Sequence, residues 1–183
     1  MDDTWNGGFY EAAIVLGKTQ SANADNRLTE ALTALWSHPL LHLSERLNLT
    51  DLDNVGRLEG ILDHPVLGPL VAGAVVVRER DMPNGNDWLY VVVPLGGLSE
   101  HVPEVDAWPV GDDGNSRSWR EPLEACLAGI VLDVARIVPI KMATIGYEIA
   151  GVISDFDADK RHIGFVVRDA RGELTYWPTT HWS

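Results

Sequence analysis

The alternation of apolar and polar residues predicts strands at the start, in the middle and towards the end of the chain. Residues 6–17, NGGFYEAAIVLG, form a short apolar run bounded by glycines, which is typical of a buried strand. Two valine-rich runs within 69–97 flank the turn-forming residues 82–87, so this region predicts a β-hairpin. Residues 142–178 alternate in the same way and predict three consecutive strands.

Three other stretches have apolar residues at helical spacing. Residues 21–38 predict an amphipathic helix, and 118–139 predict a second one that opens on the capping-box pair Ser118 and Glu121. Residues 49–65 also place leucines and a valine at helical steps before Pro65, so a helical insertion is expected over 39–66.

The order of these elements predicts the fold class. We expect a single α+β domain over 1–183, with an antiparallel sheet and helices packed on one face. Without its helical insertion and its C-terminal β-hairpin and tail at 154–183, the order is βαββαβ, the ferredoxin-like arrangement. The spacing also predicts a buried core that contains Ile14, Leu32, Val76, Val92, Leu127, Val131, Ile145 and Phe165.

Charge and composition narrow the classes of function. The chain has 27 carboxylates against 14 lysines and arginines, a net charge of −13, which phosphate backbones and anionic lipids repel. We therefore expect neither nucleic acid nor membrane as a partner. The single cysteine excludes an intrachain disulfide, and the acidic N-terminus does not resemble a signal peptide, so a cytoplasmic location is expected.

Candidate metal sites and nucleophiles do not withstand inspection. His38 and His42 are four residues apart, but Pro39 directly follows His38 and interrupts the helix that would align them. The alternating aspartates within 155–159 are followed by Lys160 where a calcium-binding loop needs glycine. Cys126 lies on an apolar helical stripe, which is typical of a packed thiol. We predict no metal, no cofactor and no catalytic motif.

The most distinctive segment is 99–116, SEHVPEVDAWPVGDDGNS. It lies within residues 81–116, which contain seven carboxylates and no lysine or arginine. An apolar anchor surrounded by charge of one sign is typical of a protein-binding surface. We therefore predict that a basic protein partner binds here. The predicted contact residues are Trp108 as anchor, with Glu100, Glu104, Asp106, Asp112 and Asp113 as steering charges.

Two classes of function remain open. The favoured class is a non-catalytic interaction protein, such as an inhibitor, an immunity or antitoxin-like protein, or an accessory subunit. The alternative is a small-molecule-binding protein or small enzyme with a pocket between sheet and helices, in which the strand carboxylates Glu11 or Glu148 act as acid or base. Whether Trp108 belongs to a satellite core, and whether the chain forms a homodimer, are also left open.

Overall fold

The structure is a computed structural model that describes residues 3–44, 49, 51–106, 114–149 and 163–179. Within these residues the chain forms eight strands and three α-helices. The strands are β1 Phe9–Lys18, β2 Leu41–Leu43, β3 Arg57–His64, β4 Gly68–Arg78, β5 Asn86–Pro94, β6 Met142–Tyr147, β7 Gly164–Arg168 and β8 Leu174–Trp177. The helices are α1 Ala24–Trp36, α2 Leu95–Ser99 and α3 Gly114–Ile137, with 3₁₀ turns at Asp3–Trp5 and Pro103–Asp106.

All eight described strands form one sheet in the order β2-β3-β4-β5-β1-β6-β7-β8. Every neighbouring pair is antiparallel. The prediction of an α+β fold with an antiparallel sheet is therefore confirmed. The sheet is wider than the sequence indicated, because β2 and β3 add two strands at one of its edges.

Helices α1 and α3 pack on the same face of the sheet. Leu32 of α1 and Leu127 of α3 share one buried cluster with Ile14 of β1 and Ile145 of β6. A second, smaller cluster on the opposite face includes Val15, Trp88, Tyr90 and Phe165. Strand β1 is buried on both faces, which explains its nearly continuous apolar sequence.

The predicted core is largely confirmed. Seven of the eight residues are buried, and Val76 is half-buried. The predicted hairpins also form: β4 pairs with β5, and β7 pairs with β8 across the predicted turn at 169–172. That turn is held by the side chain of Asp169, which accepts backbone hydrogen bonds from Arg171 and Glu173 at 2.8 and 3.0 Å. The other predicted turn, at 155–162, lies outside the described residues.

The predicted helical insertion over 39–66 is wrong. Residues 57–64 form strand β3, which pairs with β4 and with the short strand β2. Leu58, Leu62 and His64 are buried, whereas Ile61 and Asp63 between them are exposed, which is the two-residue period of a strand. A separation of four residues, as between Leu58 and Leu62, fits both the strand period and the helix period. The strand was therefore interpreted as a helix from the sequence.

A buried histidine links the β3–β4 hairpin to α3. His64 donates a hydrogen bond from Nε2 to the carbonyl oxygen of Pro122 at 3.0 Å, and its Nδ1 accepts from the amides of Val66 and Leu67. Pro122 lies inside α3, which begins at Gly114. The proline has no N–H to donate within the helix.

Candidate functional site

The first part of the predicted loop 99–116 is ordered by short helical turns. Helix α2 follows β5 directly, and the amides of His101 and Val102 both donate to the carbonyl of Leu98, at 3.1 and 2.9 Å. Leu98 and Val102 are buried in the core that faces the helices. Because α3 begins at Gly114, the stretch between defined elements is shorter than the sequence indicated.

Two of the predicted contact residues, Glu100 and Glu104, lie in these short helical turns, and both are exposed. Neither forms a salt bridge or a side-chain hydrogen bond within the described part of the chain. Asp106 is the last residue of the second 3₁₀ turn. The predicted anchor Trp108 and the carboxylates Asp112 and Asp113 lie outside the described residues.

The acidic run 81–116 does not form one continuous patch, because β5 separates its two ends. Asp87 lies near the start of β5 and Pro94 ends it, about 23 Å away, and Glu100 follows beyond that end, after α2. Asp87 is fully buried and accepts from Arg78 Nε at 3.0 Å and from Arg27 Nη2 at 3.4 Å. This aspartate is a structural ion-pair partner and adds nothing to the surface that carries Glu100.

The chain accommodates this buried ion pair with an irregularity in β1. The register between β1 and β5 shifts between Val15 and Gly17, and Gly17 has a φ of 132°. A Cβ atom at Gly17 would lie 3.1 Å from Nη1 of Arg27. The glycine therefore leaves room for the arginine to reach Asp87.

The two candidate acid–base residues of the alternative hypothesis lie in different surroundings. Glu11 is buried, at 4% exposure, and lies between Val92 and Gly146 in the sheet. Glu148 follows β6, is exposed, and has a φ of +44°, in the left-handed region. Neither residue lines the cavity beside Lys18 and Lys141 or the smaller one beside Arg136 and Glu173.

Glu11 nevertheless has a titratable neighbour, Tyr90. Tyr90 lies on the same face of the sheet, and its pKa is raised, first by burial and then by the charges of Glu11 and Glu79. Burial on the face away from the helices, together with the nearby carboxylates, therefore keeps the phenol of Tyr90 neutral over the ordinary pH range.

The histidines that suggested a metal site form separate pairs with carboxylates. His38 is buried, and its Nε2 lies 3.2 Å from Asp133 of α3. His42 pairs with Asp63 of the neighbouring strand at 2.9 Å. Among the described residues, no group of three or more histidine, cysteine, aspartate or glutamate side chains is placed to hold a metal ion. The aspartates within 155–159 lie outside these residues.

The sequence analysis missed a buried carboxylate cluster around Glu124, which is 1% exposed. Three hydroxyl groups donate to it: Tyr10 to Oε1, Tyr176 to Oε2 at 3.1 Å, and Thr179 to both oxygens at 2.6 Å. Arg120, one helical turn earlier, has Nε 3.9 Å from Oε1. The cluster joins β1, α3 and β8.

Both oxygens of the Glu124 carboxylate accept hydrogen bonds, and the carboxylate therefore acts as a structural tie. Burial and, after it, the charge of Glu124 raise the pKa of Tyr10 and of Tyr176, so both phenols remain donors. The spacing contained a signal for this cluster. Glu124 lies three residues before Leu127 and seven before Val131, which places it on the buried face of the helix.

Cys126 is half-buried, and burial raises the pKa of its thiol to about 11. At neutral pH the side chain is therefore a protonated thiol, which is a poor nucleophile. This agrees with a packing role for the cysteine.

Comparison of the chain with protein-family models, with curated proteins and with solved structures gives no significant match in any of the three. None of the described helices combines the length and the hydropathy needed to cross a lipid bilayer.

Proposed function

We propose that this protein is a non-catalytic binding module that recognises a basic protein partner through segment 99–116. In this proposal Trp108 is the apolar anchor, and the steering charges are Glu100, Glu104, Asp106, Asp112 and Asp113. The observation that supports it most is the state of Glu100 and Glu104, which are exposed and unpaired among the described residues. Exposed charges of one sign speed the encounter with an oppositely charged partner.

Two observations favour this surface over the acidic positions at Asp25, Asp53 and Asp63. Asp25, Asp53 and Asp63 are exposed too, but each is paired with a nearby arginine or histidine. The buried side chains of Leu98 and Val102 fix residues 99–106, the first part of the segment, which lowers the entropy lost on binding. A second copy of this chain is disfavoured as the partner, because two copies with a charge of −13 each repel one another.

We further propose a fold type and a cellular location for the protein. Strands β4, β5, β1 and β6 are neighbours in that order, and together with α1 and α3 we take them to be a ferredoxin-like unit with added edge strands. A cytoplasmic location is proposed on the basis of the single cysteine, since small secreted domains commonly depend on disulfides.

The test is affinity capture from extract of the native cell, followed by purification of the captured protein and measurement of its association and dissociation rates. The variant Glu100→Gln/Glu104→Gln removes two charges from the segment. The control Glu30→Gln/Glu173→Gln removes two exposed charges elsewhere and gives the same net charge. Trp108→Ala removes the proposed anchor.

We expect a basic captured protein whose association is slowed by the first variant and not by the control, with the difference shrinking at high salt. Trp108→Ala should weaken binding by about 2 kcal/mol or more, mainly through faster dissociation. Equal rates for both charge variants would contradict the proposal. Loss of the fold in Trp108→Ala would assign this tryptophan to the core instead.

A further inference from the structure

A cavity of about 620 Å³ lies at the opposite end of β5 from Glu100, beside the tip of the β4–β5 hairpin. Its base is a row of three side chains on adjacent strands, because Val15 of β1 pairs with Trp88 of β5 on one side and with Met142 of β6 on the other. These side chains belong to the sheet face away from α1 and α3. The volume falls in the range of small-molecule sites, about 300–1,000 Å³.

The rim of the cavity carries two lysines. Lys18 and Lys141 both line it, and they are two of the only three lysines in the chain. Lys18 Nζ donates to the backbone carbonyl of Asn84, and Lys141 Nζ donates to Asn86 Oδ1 at 2.9 Å. Both acceptors are neutral, and neither ammonium forms a salt bridge within the described part of the chain.

Each ammonium has three N–H donors and uses one of them in these hydrogen bonds, so two donors remain on each lysine. Asn86 adds more: its Oδ1 is occupied by Lys141, which leaves the amide Nδ2 group to donate. The two cations also repel one another. The pKa of Lys141 is lowered, first by burial and then by the charges of Lys18 and Arg27.

One carboxylate, Glu79, also lines the cavity, but its Oε2 accepts from the backbone amide of Asn86 at 2.7 Å and thereby closes the hairpin. The rim therefore has an excess of donors and of positive charge.

We propose that this cavity binds a small organic anion, with an aromatic or other apolar body on Val15, Trp88 and Met142 and a carboxylate between Lys18 and Lys141. Met82 and Pro83 of the hairpin tip supply the apolar wall. Charge-assisted hydrogen bonds from the ammonium groups to the carboxylate relieve their mutual repulsion. This site is separate from the acidic surface proposed above, so each proposal stands or fails without the other.

The test is an NMR titration of the isotope-labelled protein with 2-naphthoate and, as a matched neutral probe, 2-naphthamide. Benzoate, indole-3-acetate and decanoate extend the panel of bodies. We expect the carboxylate to shift the amide signals of Val15, Asn86 and Trp88, and to bind about tenfold more tightly than the amide. Lys18→Gln/Lys141→Gln should remove that preference, whereas Arg117→Gln/Arg171→Gln, with the same net charge and both positions exposed, should retain it.

Unchanged circular dichroism and melting temperature establish that each variant is folded, and the single variant Lys141→Gln replaces the double variant should the latter not fold. The proposal is overturned by equal affinity for 2-naphthoate and 2-naphthamide, by signal shifts away from the cavity, or by no binding of any panel member at millimolar concentration.

Discussion

At the scale of single residues, Gly85 at the tip of the β4–β5 hairpin has no room for a side chain. A Cβ atom there would lie 1.8 Å from the backbone oxygen of Glu79. The backbone of Gly85 is also engaged on both sides, because its amide donates to Met82 and its carbonyl accepts from Thr19. The sequence Asn84-Gly85 signalled a turn, but the contact with Glu79 depends on the pairing of the two strands.

We predict that Gly85→Ala destabilises the protein by about 1–3 kcal/mol, because backbone atoms must move to admit the methyl group. Gly129→Ala in α3 is the control. Nothing lies within 4 Å of its added Cβ, and removing a helical glycine stabilises by about 0.5–1 kcal/mol. Urea unfolding measures both. A Gly85→Ala protein as stable as wild type would contradict the geometry at this tip.

The Glu124 cluster supplies a second residue-scale prediction. Tyr10→Phe removes one donor from a buried carboxylate and should cost about 1.5–3 kcal/mol of unfolding free energy. Tyr90→Phe is the matched variant, because the Tyr90 hydroxyl has no hydrogen-bond partner within the described residues. We expect its effect to stay within about 0.5 kcal/mol. Equal losses in the two variants would show that the bond to Glu124 contributes nothing specific.

The same cluster predicts a loss of stability in alkali. The folded-state pKa values of Tyr10 and Tyr176 are raised above the ordinary 10.0 by burial and by Glu124. In the unfolded chain both phenols ionise near pH 10, while in the folded chain they keep their protons. Stability is therefore fully present below pH 10 and falls as the pH rises above it. Unfolding free energies measured from pH 8 to 11 test this, and a flat profile above pH 10 would contradict it.

At the scale of elements, most of the fold was readable from the sequence, and the exceptions have physical causes. The β4–β5 and β7–β8 hairpins were predicted because their turn residues act locally. Strand β3 was missed because the separation of Leu58 and Leu62 fits two periods, and only pairing with β4 decides between them. The separation of Asp87 from Glu100 was missed as well, because it depends on β5 running between them.

The strand assignment of 57–64 can be tested by neighbouring substitutions. Leu62→Ala should cost about 2–5 kcal/mol, because Leu62 is fully buried against the helix-facing core. Ile61→Ala, on the outer face of the same strand at 37% exposure, should cost far less. Urea unfolding of both variants gives the comparison. Similar losses at the two positions would contradict the alternation that defines β3.

At the scale of the whole molecule, β5 separates two surfaces of opposite charge. One end carries the unpaired Glu100 and Glu104, and the other carries the Lys18 and Lys141 pair beside the hairpin tip. A net charge of −13 says only that the chain is acidic, and it conceals this polarity. The lysine pair was not predicted, because residues 18 and 141 are brought together only by the pairing of β1 with β6.

The acidic end of the molecule is the partner-binding surface that we propose. Hydrogen–deuterium exchange of the protein, free and in complex with its captured partner, tests this most directly because it reports which backbone segment the partner covers. We expect slower exchange in peptides that cover 95–116 and unchanged exchange in the hairpin tip at 79–86. Protection elsewhere in the chain, with exchange over 95–116 unaltered, would contradict it.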